Sequence, residues 1–438
     1  MPTCLDQKVI QHTLDFLQPF NAEYARQYPG VTDQRQPVHV VYGGAHLFKS
    51  TTPKKIGALA LEHMRQFAPT PEIFGQVFEW QNRGANFSTE IYNRVLHKLQ
   101  SEAVEDFRID FEDGYGHRSD AEEDGHAEKA AHELAQGMKD HTLSPFIGMR
   151  TKPFTAELTK RSIRTLDIFL SSLLKNTNGK LPDNFVVTLP KISIPQQVHA
   201  LCEILSALEK KFNLSDGTIK IEIMIETLQA IFDPAGKLGI PPLVAASKGR
   251  CVAAHLGSYD YTAACDITAD YQNMGHVVCD IARHLMQLSL CGTGIRLSDS
   301  ASTIIPVKSD QKVTHQAWLH SYRHTRHSLE CGFYQGWDLH PSQLPARYAA
   351  LFSFFLEGFD LVSSRLKNFI QKAGEATMVG DVFDDAATGQ GLLNYFLRGL
   401  ACGAVTEQEV LATGLTLEEL RTRSFAKIIK GRRLPASI

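Results

Sequence analysis

Glu226 and Asp260 are the two residues of this 438-residue chain best suited to hold a cation. Glu226 ends an almost wholly apolar run, IEIMI, where a buried carboxylate is unfavourable without a counter-charge. Asp260 follows the next apolar run in HLGSYDY, just after Gly257 and Ser258. The missing side chain at Gly257 lets the backbone approach a ligand and frees nearby amides to face it, so both residues are candidates for substrate binding. Two carboxylates with no histidine or cysteine beside them suit a hard cation, Mg²⁺ or alternatively Mn²⁺. Taken alone, Glu226 could instead cap a helix at ETLQAIF. The equivalent placement of Asp260 after the next run favours the metal.

Further charged residues close other apolar runs. Asp110, Glu112 and Asp113 lie within four residues in IDFED. At a strand's period of two, Asp110 and Glu112 share a face and can orient metal-bound water. A polar strand end entering the Gly-rich turn GYG is the plainer reading for Asp113. Arg150 ends FIGMR and offers a planar cationic fork for a substrate carboxylate or for a structural ion pair with the acidic group. Lys191, in LPKIS, can pair with the same carboxylates or lean on the substrate. His340, in WDLHPSQ, reads as a hydrogen-bonded histidine beside a turn.

These residues need elements that bring them together. After an N-terminal helix over residues 5–17, short β-rich runs alternate with helical stretches, the rhythm of βαβ units. The strands fall at residues 38–44, 107–113, 146–150, 185–191, 219–227 and 251–257, with a weaker one near Ile295 or Ile304 and a last one at 337–341. Eight strands suit a closed barrel, although an open doubly wound sheet has similar periodicity. Polar residues at the ends of separate strands favour the barrel, whose strand ends converge on one mouth. The expected fold is an α/β (β/α)8 TIM barrel with an N-terminal helix and a C-terminal helical extension. Residues 1–36 form the helical N-terminal segment, 37–344 the barrel with the metal site, and 345–438 a helical lid or oligomerisation region around the Gly- and Asp-rich junction MVGDVFDDAATGQG. The apolar helical tail suggests a homo-oligomer.

Composition excludes several classes. A formal net charge of −3, from 45 basic and 48 acidic residues, gives no field for a nucleic-acid backbone. No window approaches the ~20 apolar residues of a membrane span, and the N-terminus lacks a signal-peptide pattern. The eight cysteines have no CxxC pair or zinc-like spacing, so neither a disulfide framework nor a zinc site is suggested. Reduced thiols in a cytoplasmic setting fit.

Taken in order, the motifs resemble the superfamily that joins the citrate lyase β subunit, the HpcH/HpaI aldolases and the malate synthases. IDFED, TLPKIS, IMIETLQAIF, HLGSYDYTAA and WDLHPSQL are similar to its strand-end segments, and FDDAATGQG resembles the malate synthase segment that carries the catalytic base, at Asp385 here. GMRTKPF departs from the malate synthase pattern around glyoxylate. The resemblance implies that Mg²⁺ on Glu226 and Asp260 chelates a 2-oxo acid, that Arg150 stabilises charge on an enolate, and that Asp385 deprotonates the carbon α to a CoA thioester. A CoA-independent 2-oxo acid aldolase is the second reading, with His46, in YGGAHLF, near the place of the aldolases' histidine base. A barrel that has lost catalysis and serves as a binding subunit is the third.

Overall fold

The computed structural model describes residues 4–30, 34–306, 310–371, 377–379, 382–384 and 386–433. Eight parallel strands close into one barrel: β1 (His39–Gly44), β2 (Asp106–Asp110), β3 (Phe146–Arg150), β4 (Phe185–Leu189), β5 (Lys220–Ile225), β6 (Cys251–Leu256), β7 (Arg296–Ala301) and β8 (Gln335–Asp338). Each hydrogen-bonds the next, and β8 returns to β1. The α/β barrel expected from the polar residues at the strand ends is the fold found.

Alternation explains why these segments are barrel strands. In β2, Phe107 and Ile109 are buried on the outer face with Ile147, Met149, Val187, Leu189, Ile221 and Ile223, where the surrounding helices cover them. The intervening residues point into the lumen, and in this protein many are polar. Arg108 of β2 reaches across to Thr188 of β4 (3.0 Å from Nε to Oγ1) and to Glu222 of β5 (2.6 Å from Nη2 to Oε2). The same guanidinium bonds Asp106, which also accepts from Gln335 of β8 at 3.2 Å. His255 of β6 lies 3.1 Å from Glu222 and accepts at Nδ1 from the Trp337 indole of β8. Contacts between non-adjacent strands put this stack on the barrel axis. Above it, Tyr42 of β1 packs on Trp337 with ring centroids 4.6 Å apart.

Several boundaries differ from those read in the sequence. β2 stops at Asp110, so Glu112 and Asp113 lie in the following bend, and Asp110 and Glu112 do not share a strand face. β7 occupies Arg296–Ala301, between the two apolar markers, and β8 begins at Gln335. The N-terminal helix runs Gln7–Gln27 and buries none of its residues. After β8, helix Leu344–Leu356 is almost entirely buried. Beyond it lie helices Phe359–Gln371, Ala386–Ala401 and Phe425–Arg433 with two short helices, and an antiparallel ribbon, Thr377–Val379 with Val382–Asp384, occupies the Gly- and Asp-rich junction. Among the described residues no helix is long and apolar enough to cross a membrane.

Candidate active site at the barrel mouth

Strand register assembles the first part of the site. Asp110 and Arg150 are direct partners between β2 and β3. Arg150 donates to both Asp110 oxygens, at 2.7 Å from Nε and 2.6 Å from Nη2, a bidentate pair of the strong kind. Asp110 also accepts from the amides of Glu112 (3.0 Å) and Gly114 (2.8 Å), which folds the chain back over the strand end. A Cβ at Gly114 would lie 2.6 Å from Asp110 Oδ2, so this turn requires glycine. Arg150 sits 4.7 Å from the Tyr42 ring centroid and 3.0 Å, through Nη1, from Glu112. Burial opposes the guanidinium charge, but Asp110 and Glu112 outweigh it and hold the pKa well above the usual value. The structural ion pair is therefore formed. Two of the five N–H donors serve Asp110, and Nη1 faces Glu112 and the Met224 sulfur.

Lys191 joins the second part. It follows β4 in a left-handed conformation (φ +50°), unusual for a side-chain-bearing residue. Its amide donates to Glu226 Oε1 at 2.6 Å, while its ammonium contacts Glu112, Asp113 (3.3 Å) and Asp260 (3.3 Å). Burial works against the ammonium charge, and Glu226 and Glu112 more than restore it, so the pKa is raised. Glu226 is buried, and Thr227 rather than Glu226 caps the short helix Leu228–Ile231. Burial, reinforced by the charges of Asp260 and Glu112, pushes the Glu226 carboxyl up to about 8 despite Lys191. Burial raises Glu112 as well. Asp260, in the first turn of helix Ser258–Ala264, is the more open carboxylate, with 43% of its side chain exposed.

Gly257 has a steric role. A Cβ there would meet Glu226 Oε2 at 2.4 Å and Glu226 Cβ at 2.6 Å, while its amide donates to the Ile225 carbonyl of β5. Gly257→Ala is expected to lower the stability of the metal-free protein by about 1–3 kcal/mol in urea denaturation, as overpacking does. An unchanged midpoint would show that β6 can draw back.

Other candidates lie apart from this group or are otherwise occupied. Ser258 is fully buried, and both its amide (3.1 Å) and its hydroxyl (2.6 Å) bond Ser300, leaving neither pointed at a substrate. His46, in the turn after β1, packs against Tyr115 and His126, and burial lowers its pKa; its Nδ1 is buried without a hydrogen-bond partner among the described residues. His340 bonds Ser342 at 2.6 Å beside its turn. Asp385 lies outside the described residues, immediately before helix Ala386–Ala401. Sequence reasoning missed Tyr42, Trp337 and the lumen stack, whose only signal was polar alternation within strands that have no solvent face.

The assembled group has five carboxylates, Asp110, Glu112, Asp113, Glu226 and Asp260, against two cations, Arg150 and Lys191. With all ionised, three negative charges are uncompensated. Glu226 and Asp260 offer hard oxygen donors on either side of Lys191, and this donor set and charge excess fit Mg²⁺ or Mn²⁺.

Comparison with solved structures shows the same barrel in a citrate lyase from Burkholderia xenovorans LB400, at 19% identity and a TM-score of 0.57 over 87% of this chain and 97% of that one. Also similar are the CitE protein of Mycobacterium tuberculosis in complex with magnesium, acetoacetate and coenzyme A (15% identity, TM-score 0.48, 84% and 99% covered) and a lead(II) complex of Haloferax volcanii malate synthase (15%, 0.42, 79% and 93%). No curated protein sequence matches the chain. Residues 17–428 match a single sequence family, so the chain belongs to the family described as Domain of unknown function (DUF6986).

Proposed function

We propose that the protein is a Mg²⁺-dependent enzyme that makes or breaks a carbon–carbon bond beside a carboxylate, acting on a 2-oxo acid or a CoA thioester through an enolate. The observation that carries this reading is the convergence of five carboxylates on two cations at the barrel mouth, with a buried Glu226 whose carboxyl is pushed up to about 8 in the absence of a further counter-charge. Glu226 and Asp260 would hold the ion, with Mn²⁺ as the alternative, and the bound cation would supply Lewis-acid polarisation of the oxo acid. Arg150, fixed by Asp110, would direct its guanidinium charge at the carboxylate or the developing enolate. Glu112 and Asp110 would orient water and the arginine, and Lys191 would link the two ligands, holding Glu226 through its amide and Asp260 through its ammonium. Asp385 is the proposed base for the carbon α to a thioester.

One observation favours the CoA-independent aldolase as a second reading. Burial lowers the pKa of His46, and its Nδ1 has no hydrogen-bond partner among the described residues, both of which favour a nitrogen able to accept a proton. Asp385→Asn inactive with His46→Ala active selects the thioester reaction, and the reverse selects the aldolase. The free state of all eight cysteines supports a reducing, cytoplasmic setting, and the apolar C-terminal helices support a homo-oligomer.

The test is a thermal-shift titration with Mg²⁺, Mn²⁺, EDTA, pyruvate, glyoxylate, oxaloacetate and acetyl-CoA. Mg²⁺ at a hundred times its Kd stabilises by about 2.7 kcal/mol, an upward shift of a few degrees. Melting that ignores metal and every acid would leave only the non-catalytic binding subunit.

A further inference from the structure

A second group of metal-ligating side chains lies on the outer helices. Asp280 is in the first turn of helix Val277–Leu290, His327 is in the last turn of helix Gln311–Glu330, and Cys331 caps that helix. One carboxylate oxygen, one imidazole nitrogen and one sulfur lie within 4.8 Å of one another, all partly buried. His327 Nε2 is 2.8 Å from Asp280 Oδ1 and 3.8 Å from Cys331 Sγ.

These separations can be compared with what a tetrahedral ion imposes. With Zn–N and Zn–O near 2.1 Å and Zn–S near 2.3 Å, ligand atoms lie about 3.6 Å apart for N and S and about 3.4 Å for N and O. The nitrogen–sulfur distance is already in place, and the nitrogen–oxygen pair, drawn in by its hydrogen bond, has to open by about half an ångström. The i, i+4 spacing of His327 and Cys331 puts both on one helix face.

Charge and support also fit. Asp280 and a Cys331 thiolate balance a divalent ion, and His327 joins as a neutral ligand. Arg283, which donates to Asp280 Oδ1 at 2.7 Å, is itself paired with Asp299 at 2.8 Å and bonded to the Met274 carbonyl. Its charge is therefore answered within the protein, and it holds the carboxylate in orientation as outer partners of metal ligands do. On binding, the ion takes the place of the His327 N–H at Asp280 Oδ1, which keeps its bond from Arg283.

We propose that Asp280, His327 and Cys331 form a transition-metal site of the Zn²⁺ class, with a fourth position for water, separate in ligand chemistry from the all-oxygen group at the barrel mouth. Binding forms metal–sulfur and metal–nitrogen bonds, releases the thiol proton to solvent and leaves the remaining imidazole proton of His327 on Nδ1 instead of Nε2. The ion would tie the helix after β6 to the helix after β7.

The test uses the full chain, stripped of metal under reductant and then saturated with Mg²⁺ so that the hard carboxylates are occupied. Addition of Co²⁺ should produce one equivalent of thiolate-to-cobalt charge-transfer absorption, displaced by Zn²⁺. Cys331→Ser should abolish that band, His327→Ala should abolish tight binding, and Asp280→Asn should weaken it at least tenfold, with circular dichroism confirming that each variant is folded. Absence of the band in the wild type, or a band that survives in Cys331→Ser, overturns the proposal. The other cysteines serve as the internal control, since any of them binding cobalt would leave the Cys331→Ser spectrum unchanged.

Discussion

In EDTA at pH 9, Glu226→Gln is expected to be more stable than the wild type, and in Mg²⁺ that order should reverse. The free carboxyl titrates at about 8 in the fold but at about 4.3 in an unfolded chain. Between those values the folded protein holds a proton that the unfolded chain has lost, so stability falls as pH rises and the loss is complete above about 8. A tenfold change in proton affinity is worth about 1.4 kcal/mol, so the difference amounts to several kcal/mol. Gln cannot ionise and lacks this slope, while its carbonyl still accepts from the Lys191 amide. The same substitution removes a proposed ligand, so the Mg²⁺-dependent rise in Tm should vanish. Denaturation across pH 5–9, with and without Mg²⁺, reads both effects. A variant less stable than wild type at pH 9 in EDTA would show that Lys191 and Arg150 fully offset the buried charge.

The second large effect is in the lumen. Arg108→Met is expected to lower stability by about 3–5 kcal/mol, because removing one member of a buried ionic group leaves the others uncompensated. Asp106 and Glu222 would both remain, fully buried, and burial already raises Asp106 with Arg108 present. Adding Glu222→Gln should recover part of the loss, since only one unpaired carboxylate is then left. Urea midpoints of the single and double variants measure this. A loss under about 1 kcal/mol for Arg108→Met would mean that water or protonation satisfies the stack.

What the sequence made legible depended on where the apolar residues sit. β2 to β6 were visible because their outward residues, such as Ile147, Met149, Ile221 and Ile223, are large and regularly spaced. β7 was blurred because its outward Asp299 is polar and buried against Arg283 and Ser328, so only the flanking isoleucines stood out. Charged residues of the mouth were visible because each ends an apolar run. Their engagements were not, since whether Arg150 meets Asp110 or a substrate is set by strand register. The lumen stack was hidden because Arg108 and Glu222 resemble the solvent side of an ordinary strand. Asp280 lies 47 residues from its hydrogen-bond partner His327, a proximity that only tertiary packing creates.

The polar lumen also bears on how the barrel responds to temperature. Exposing apolar surface raises heat capacity by about 0.45 cal/K/mol per Å², whereas exposing polar surface lowers it by about 0.26. A lumen filled by Arg108, Asp106, Glu222, Thr188 and His255 instead of branched aliphatics therefore subtracts from the heat-capacity increment of unfolding. The dome of stability against temperature is flattened accordingly, which makes the protein less prone to unfolding in the cold than a barrel of the same length with an aliphatic lumen.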